Sequence, residues 1–490
     1  MATPATLDAA LRGWAARWGD RPAVLGGAAP RTFAALDAGA DAWAAHLAAR
    51  GIGPGGHVAL LGANHPDWLA AAFGVWRSGA TLVPISTFVT ARELGEILAH
   101  AEAGALIIQP RMAGRDLTAL VAALPAGTAP GHLLPLVAPA PAAPVASAAA
   151  PEATACILYT SGTTGTPKGV MLSHAAILAT MGPTAMRGGL TPEDVLLSTL
   201  PLFWVAGLVI RALPTLASGS ALLLLETFSA AAALAALRTH RPTALHLRPP
   251  QVAQLLAHAD FDPGLLAPVH RGGGRVEWFY PHLEAQRTRF ITGYGMTETA
   301  GYVTALDWRD DAATRAVRIG TTLPGVDLRI VDGEVRVRGP GLFSGYHRQP
   351  PGSGLDDDGF FRTGDRGRLA AGGIFHFDGR SKDLLRVKGI NVSPIEVENV
   401  LAGHPAVEAA HVVGLPADGL EQEVVALIVS RSGAPLPEAD LRALAAASLS
   451  HYKRPGRYLS IGPEEVPLGG TAKPQRAALA ALAASRLPPR

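Results

Sequence analysis

Where a buried strand opens into a turn of glycine, serine, threonine and one lysine, the backbone has few alternatives. One such place dominates this chain. Residues 154–159 include the apolar run Ala155, Cys156, Ile157 and Leu158, which reads as a short buried strand. The next eleven-residue string, YTSGTTGTPKG at 159–169, holds three glycines, four threonines, a serine, a proline and Lys168. Glycines let the backbone come close to a ligand, amide and hydroxyl donors point inward, and an ammonium adds a point charge; together these suit phosphate oxygens. The string is not the common P-loop, because Lys168 follows Pro167 and precedes Gly169. On composition alone, a surface turn of small residues would read the same way.

The rest of the chain narrows the choice. At 490 residues, the length corresponds to about three domains, or two if large α/β units are present. Hydrophobic residues make up 48% and charged residues 17%, enough for sizeable cores and against disorder. A formal net charge of +2 offers no basic face, which argues against nucleic acid as a partner. The single cysteine, Cys156, excludes an intrachain disulfide or a cysteine metal cluster and fits a reducing compartment. Asp8 near the N-terminus, with no long apolar stretch there, argues against a signal peptide, so a cytoplasmic location is expected. The most apolar stretch, 196–210, contains Pro201 and stops at Arg211, too short to span a membrane. Only five lysines occur, Lys168, Lys382, Lys388, Lys453 and Lys473, in a chain whose other cations are arginines. Each is therefore a candidate for a compact, mobile point charge that arginine cannot supply.

Strand and helix alternate through the first part. Thr32 can cap a helix with the stripe Leu36, Ala40, Trp43 and Leu47, ended by Gly51. Strands are expected at 57–61, 81–84 and 105–108, with helices at 66–78 and 91–101 between them. That alternation predicts parallel sheet with helices on its faces. Residues 134–154, rich in proline and alanine, read as a linker or long surface loop. Further on, Ser173 caps a helix expected to reach Ala179; strands are expected at 195–199 and 220–225, and a helix at 230–241.

Five further stretches carry chemistry. PLFWVAG, 201–207, joins two elements and places Trp204 and Gly207 there. Gly272, Gly273 and Gly274 allow close approach to a flat ligand, or form a flexible turn. In GYGMTET, 293–299, Tyr294 offers an aromatic face, Thr297 a hydroxyl and Glu298 a carboxylate for Mg²⁺ beside phosphates. In FFRTGD, 360–365, Asp365 is a short carboxylate able to accept two ribose hydroxyls, and Arg380 can reach ribose or phosphate. Ser393, Pro394 and Glu396 begin a helix as a capping box. Strands at 407–413, 423–429 and 457–461 and a helix at 437–449 then describe an α+β unit of about a hundred residues. PLGGTAK, 467–473, ends on Lys473.

These motifs, in this order, resemble the adenylate-forming superfamily, which includes acyl-CoA synthetases, firefly-type luciferases and peptide-synthetase adenylation domains. The resemblance covers residues 159–473, and the β/α region before them is also similar. It implies an α/β fold: a large N-terminal domain, 1–381, with parallel-rich sheets flanked by helices, and a small mobile α+β domain, 382–490. It implies a phosphate loop of Thr160, Ser161, Gly162, Thr163, Thr164, Gly165 and Lys168, and a nucleoside site at Gly272–Gly274, Gly293, Tyr294, Gly295, Thr297, Asp365 and Arg380. It also implies a hinge at Lys382, a pantetheine contact at Gly389, an acyl pocket near Trp204, Gly207, Gly301 and Tyr302, and a catalytic Lys473. Three departures stand out: Trp204 where histidine is frequent, Arg275 and Val276 where proline and leucine usually follow the glycines, and Ala472 where glycine usually precedes the lysine. The function implied is an AMP-forming acyl-CoA synthetase using ATP, Mg²⁺ and coenzyme A. Its mostly apolar pocket points to a fatty or aromatic acid, and thus to fatty acid metabolism, in a monomer or homodimer. The alternatives are loading of a separate carrier protein, a non-catalytic nucleotide-binding homologue, and luciferase-like oxidation, which nothing in the sequence favours.

Overall fold

The computed structural model describes residues 4–487, except 28–29, 161–167, 275–278, 280–281, 284–287, 318, 381–383, 388–389, 418–419, 432, 434–436, 450 and 469–473. The chain forms two units. One comprises residues 1–328, 337–361 and 371–375; the other comprises 329–336, 362–370 and 376–490.

Two seven-stranded sheets organise the first unit. One has the order Gly345–Tyr346, Lys168–Ser173, Thr154–Thr160, Thr81–Ile85, His57–Leu61, Ala105–Ile108, His132–Pro135. The first two of these strands pair antiparallel, as do the second and third; the rest are parallel. The other sheet has the order Arg289–Ile291, Arg271–Gly273, Ala244–His246, Val195–Ser198, Ala221–Leu224, Pro22–Leu25, Arg31–Thr32, parallel except for the last pair. The inner strands are continuous apolar runs such as VALL and ALLL, the pattern of strands buried on both faces.

Helix starts follow their caps. The Ala35 amide donates to Thr32 Oγ1 at 3.1 Å to open Phe33–Ala48, and Thr90 and Glu93 form a capping box for Ala91–His100. The helix capped by Ser173 runs over His174–Gly188, nine residues beyond the expected end at Ala179. Pro183 lies inside this helix. Here the helix passes through it, because Ile177, Thr180, Met181 and Thr184 are all buried and packing outweighs the lost hydrogen bond. Gly189, at φ +64°, ends it. The proline- and alanine-rich stretch has no regular element from 136 to 153, but it is pinned: Val145 N–H donates to Asp41 Oδ1 at 2.8 Å, and Ala148 N–H to the Arg77 carbonyl at 3.0 Å.

A charged cluster joins the first three long helices. The Arg77 side chain is fully buried; its Nε reaches Asp8 Oδ1 at 2.6 Å, one terminal nitrogen reaches Asp41 Oδ1 at 2.7 Å, and the other pairs with Asp37. Asp8 lies on Leu7–Trp18, Asp37 and Asp41 on Phe33–Ala48, and Arg77 ends Pro66–Arg77.

In the second unit, Val407–Ala417 and Leu420–Ser430 form a long antiparallel pair, and Arg457–Ile461 adds parallel to the latter. Helices Pro394–Ala402, Glu438–Ser448 and Arg476–Arg486 accompany them. Val412, Val424, Ala426 and Ile428 belong to one apolar cluster of this sheet, and Val413, Val425, Leu427 and Val429 to a second, the alternation of a sheet packed on both faces. The last helix was not foreseen, since its alanine-rich sequence shows little apolar periodicity; it buries Leu479 and Ala483, and Arg476 binds Glu398 at 2.8 Å. Lys453 is accounted for by an ion pair with Glu396 at 2.7 Å.

Arg77→Met would leave three carboxylates around a vacated cation. It is expected to cost about 3–5 kcal/mol of stability, read from guanidinium denaturation followed by tryptophan fluorescence. A loss below about 1 kcal/mol would show that the cluster is not needed.

Candidate functional site

The glycine- and threonine-rich string sits at the end of an antiparallel pair. Thr160 and Lys168 are directly opposite each other in the ladder, so the string leaves and re-enters the sheet at one point. Ser161, Gly162, Thr163, Thr164 and Gly165 lie outside the described residues. The Lys168 ammonium lies 5.0 Å from the centroid of the Tyr346 ring, within cation–π range. The Tyr346 hydroxyl donates to Glu298 Oε1 at 2.9 Å. One tyrosine thus links Lys168 of the first motif to Glu298 of GYGMTET. Burial and the neighbouring Glu298 charge push the Tyr346 phenol up, and burial does the same to Tyr159, whose hydroxyl lies 2.7 Å from His100 Nδ1.

Glu298 is held by the backbone around it. Strands Gly293–Met296 and Gly301–Ala305 form a hairpin with the 3-10 turn Thr297–Thr299 between them. Ala300 and Gly301 have φ of 47° and 105°, so the chain reverses sharply just after the carboxylate. Thr299 Oγ1 donates to the Gly301 carbonyl at 2.8 Å, Thr180 Oγ1 to the Ala300 carbonyl at 2.9 Å, and Phe343 N–H to the Glu298 carbonyl at 2.8 Å. The Tyr294 ring is buried, its centroid 4.8 Å from that of Phe375, with the two planes tilted by 44°.

A second group of residues lies at the carboxyl ends of the other sheet. Gly272 and Gly273 are strand residues and only Gly274 turns, with φ +97°; the run is neither a free turn nor a loop. Leu208–Ala212 is π-helical and carries Arg211, which is 93% buried. Arg211 Nε donates to His246 Nδ1, and Nη2 donates to the Tyr302 hydroxyl at 2.9 Å. Burial and the Arg211 charge hold the His246 imidazole well below its ordinary value, so His246 stays neutral with Nδ1 free to accept. Gly207 is tightly packed, since a Cβ there would meet the Pro201 carbonyl oxygen at 1.9 Å. Trp204 stands against Phe203, centroids 5.5 Å apart, and within 6.4 Å of Phe88, which is half exposed.

In the second unit, Asp365 is buried in the strand Phe361–Ala370; its N–H donates to Thr363 Oγ1 at 3.0 Å, and Thr363 is tied to the Val335 carbonyl at 2.6 Å. Arg380 is the last residue of Ile374–Arg380. Lys382, Gly389 and Lys473 lie outside the described residues. Sequence reasoning missed Tyr346, His246 and Arg211. Tyr346 lies in a two-residue strand with no periodic pattern, and Arg211 was visible only as the end of an apolar run.

Two family models match: AMP-binding enzyme over residues 11–347 and AMP-binding enzyme C-terminal domain over 396–473. The chain is 33% identical over 503 residues to a sulfoacetate–CoA ligase of Cupriavidus necator, covering 96% of each chain. It is 32% identical to a feruloyl-CoA synthase of an Amycolatopsis species, covering 88% of this chain and 90% of the relative. Its fold matches crystalline ATP-bound MatB from Rhodopseudomonas palustris with a TM-score of 0.83 at 26% identity, over 97% of this chain and 98% of the other.

The raised phenols set a pH dependence. An unfolded tyrosine loses its proton near the ordinary value of 10.0, while folded Tyr346 and Tyr159 keep theirs to higher pH. Above that value the unfolded state binds fewer protons, so stability is intact below pH 10 and declines as pH rises past it. The melting temperature of the wild type is expected to fall more steeply from pH 10 to 11 than that of Tyr346→Phe. Equal slopes would contradict the shift.

Proposed function

We propose, for a chain that belongs to the AMP-binding enzyme family and is an AMP-forming acyl-CoA synthetase acting on a carboxylic acid, ATP and coenzyme A, that the candidate residues named from the sequence divide its two half-reactions between them. In the first, a carboxylate oxygen attacks the α-phosphate and pyrophosphate leaves. In the second, the thiol attacks the acyl carbon and AMP leaves. Neither step needs a protein nucleophile; both need positioning and a positive field.

The observation that carries this reading is the Lys168–Tyr346–Glu298 array at the base of segment 161–167. Lys168, with Thr163 and Thr164, faces the phosphates as an ammonium whose position is held by an aromatic ring. Glu298 is partly exposed and oriented by the Tyr346 hydroxyl, which suits one carboxylate ligand of Mg²⁺. Among the described residues no group of three or more His, Cys, Asp or Glu could hold a metal, which fits an ion bound mainly by nucleotide and water. Mg²⁺ bound there with ATP supplies charge neutralisation at the phosphates. Tyr294 with its glycines Gly293 and Gly295, Asp365 and Arg380 hold the nucleoside, and Thr297 reaches a phosphate oxygen. Trp204, beside Phe203 and the half-exposed Phe88, shapes the passage for acid or thiol.

Relatives are named for sulfoacetate and for feruloyl groups, so family membership leaves the acid open. The cavity beside Gly272 and Gly273 is walled mainly by apolar residues, with Thr184, Thr215 and Arg211 as polar members, which speaks for a compact acid over a long fatty one. A cytoplasmic location, which the single cysteine Cys156 fits, and a monomer or homodimer complete the reading, with loading of a separate carrier protein as the alternative. Among the described residues no helix is long and apolar enough to cross a membrane.

The domain assignment gives the decisive experiment. With 1–381 as the large domain and 382–490 as the small one, Lys382 takes up the rotation between half-reactions, Lys473 serves the first and Gly389 the second. Lys473→Ala is expected to cut acid-dependent ATP–pyrophosphate exchange by about 10² to 10³. It should spare thioester formation from supplied acyl-adenylate. Lys382→Pro is expected to do the reverse. Equal damage to both half-reactions by Lys473→Ala would overturn the assignment. Asp365→Ala is expected to raise the ATP Michaelis constant or lower turnover by a few kcal/mol in kcat/KM; wild-type constants would remove Asp365 from the ribose site.

A further inference from the structure

Two buried arginines in the first unit are treated very differently. Arg77 is surrounded by Asp8, Asp37 and Asp41, so its charge is fully matched. Arg211 is 93% buried, yet its partners are a neutral imidazole, a phenol hydroxyl and the Ile210 carbonyl. No carboxylate among the described residues pairs with it. A buried cation left without a counter-charge costs free energy, and proteins retain one where a ligand supplies the missing charge.

The surroundings of Arg211 are those of a ligand site. Strands Ala244–His246 and Arg271–Gly273 are parallel neighbours, and His246 and Gly273 are their last residues. Ligands of open α/β sheets bind in the crevice beyond such carboxyl ends. A cavity of about 30 Å³ lies here, and Arg211 is the only charged group among the described residues lining it; Ile210, Ile291 and Leu196 are among its apolar walls. That volume corresponds to about two or three water positions, the size of one small anionic group. A Cβ at Gly273 would sit 2.3 Å from Arg211 Nη2 and 2.2 Å from His246 Nδ1, so glycine is what lets the guanidinium reach this position. His246, with Tyr302 whose ring centroid is 5.8 Å from the Arg211 carbon, holds the fork in place before any ligand arrives. The π-helical turn at Leu208–Ala212 gives Arg211 its register, a feature frequent at functional sites.

We infer that the acid substrate carries a second anionic group, a carboxylate or sulfonate at its far end, and that Arg211 binds it as the specificity-determining cation. The inference rests on the ligase reading and narrows it to compact, doubly charged acids. Tyr302 and His246 act as positioning residues, since they orient the guanidinium.

The test uses the full-length enzyme and acid-dependent ATP–pyrophosphate exchange. Acids are offered in matched pairs of equal chain length: monocarboxylic against dicarboxylic, and monocarboxylic against sulfo-carboxylic. Wild type is expected to favour the doubly charged member by about 10²-fold or more in kcat/KM, as sites built for a polar group reject analogues lacking it. The carboxylate and sulfonate arms tell the two anions apart. Arg211→Leu is expected to abolish that preference and improve use of the neutral-tailed acids, without lowering the melting temperature. Arg211→Lys should keep part of the preference, because the charge remains while the planar fork is lost. Wild-type preference for neutral-tailed acids would overturn the inference, whatever the variants do, and leave the ligase reading intact. An unchanged ratio in Arg211→Leu, with both members slowed equally, would overturn it too and make Arg211 a brace. Silence of the whole panel would overturn the ligase reading and this inference with it.

Discussion

One tyrosine joins the parts of the proposed phosphate site. Tyr346 places its ring under the Lys168 ammonium and its hydroxyl on Glu298, two residues 130 positions apart in sequence. Lys168 owes its location to the ladder in which it faces Thr160, and Tyr346 owes its own to the edge strand paired beside Val170. Glu298 is presented by a hairpin whose reversal depends on Gly301 and on hydroxyls of Thr299 and Thr180. Ladder, edge strand and hairpin must all form before cation and carboxylate can face the same ligand.

The same unit shows two uses of a buried guanidinium. Around Arg77, three carboxylates and a backbone carbonyl complete the charge and tie three helices together. Breaking such a cluster is costly, because each partner left behind is a desolvated ion. Around Arg211 the donors meet neutral acceptors, which fix direction without cancelling charge. The first arrangement is complete in the folded chain. The second has three hydrogen bonds among the described residues, against five N–H donors, and is open in its electrostatics.

Aromatic residues follow a similar division. Trp43, Trp68 and Trp76 are fully buried and fill the core between the first helices. Trp204 and Phe88 extend the same chemistry outward, with Phe88 half exposed.

The sequence by itself determined the α/β class, the parallel pairing of the apolar strands, the helix starts and the family. Those depend on local features: a strand read from its apolar run, a helix from Thr32 or Ser173 at its cap, a loop from its glycines. Local features also misled where packing overrules them, as in the helix expected to end at Ala179 that runs on through Pro183 to Gly188, or where they are weak, as in Arg476–Arg486. Tertiary structure alone decided which residues meet. Tyr346 has no signature, and its role comes from lying between Lys168 and Glu298. Arg211 read as the end of an apolar run, whereas in the fold it reaches His246 and Tyr302 across the ends of parallel strands. A charge's meaning depends on what surrounds it, and its neighbours here are 35 and 91 residues away. Periodicity cannot encode such distances; only the packed sheet brings them together.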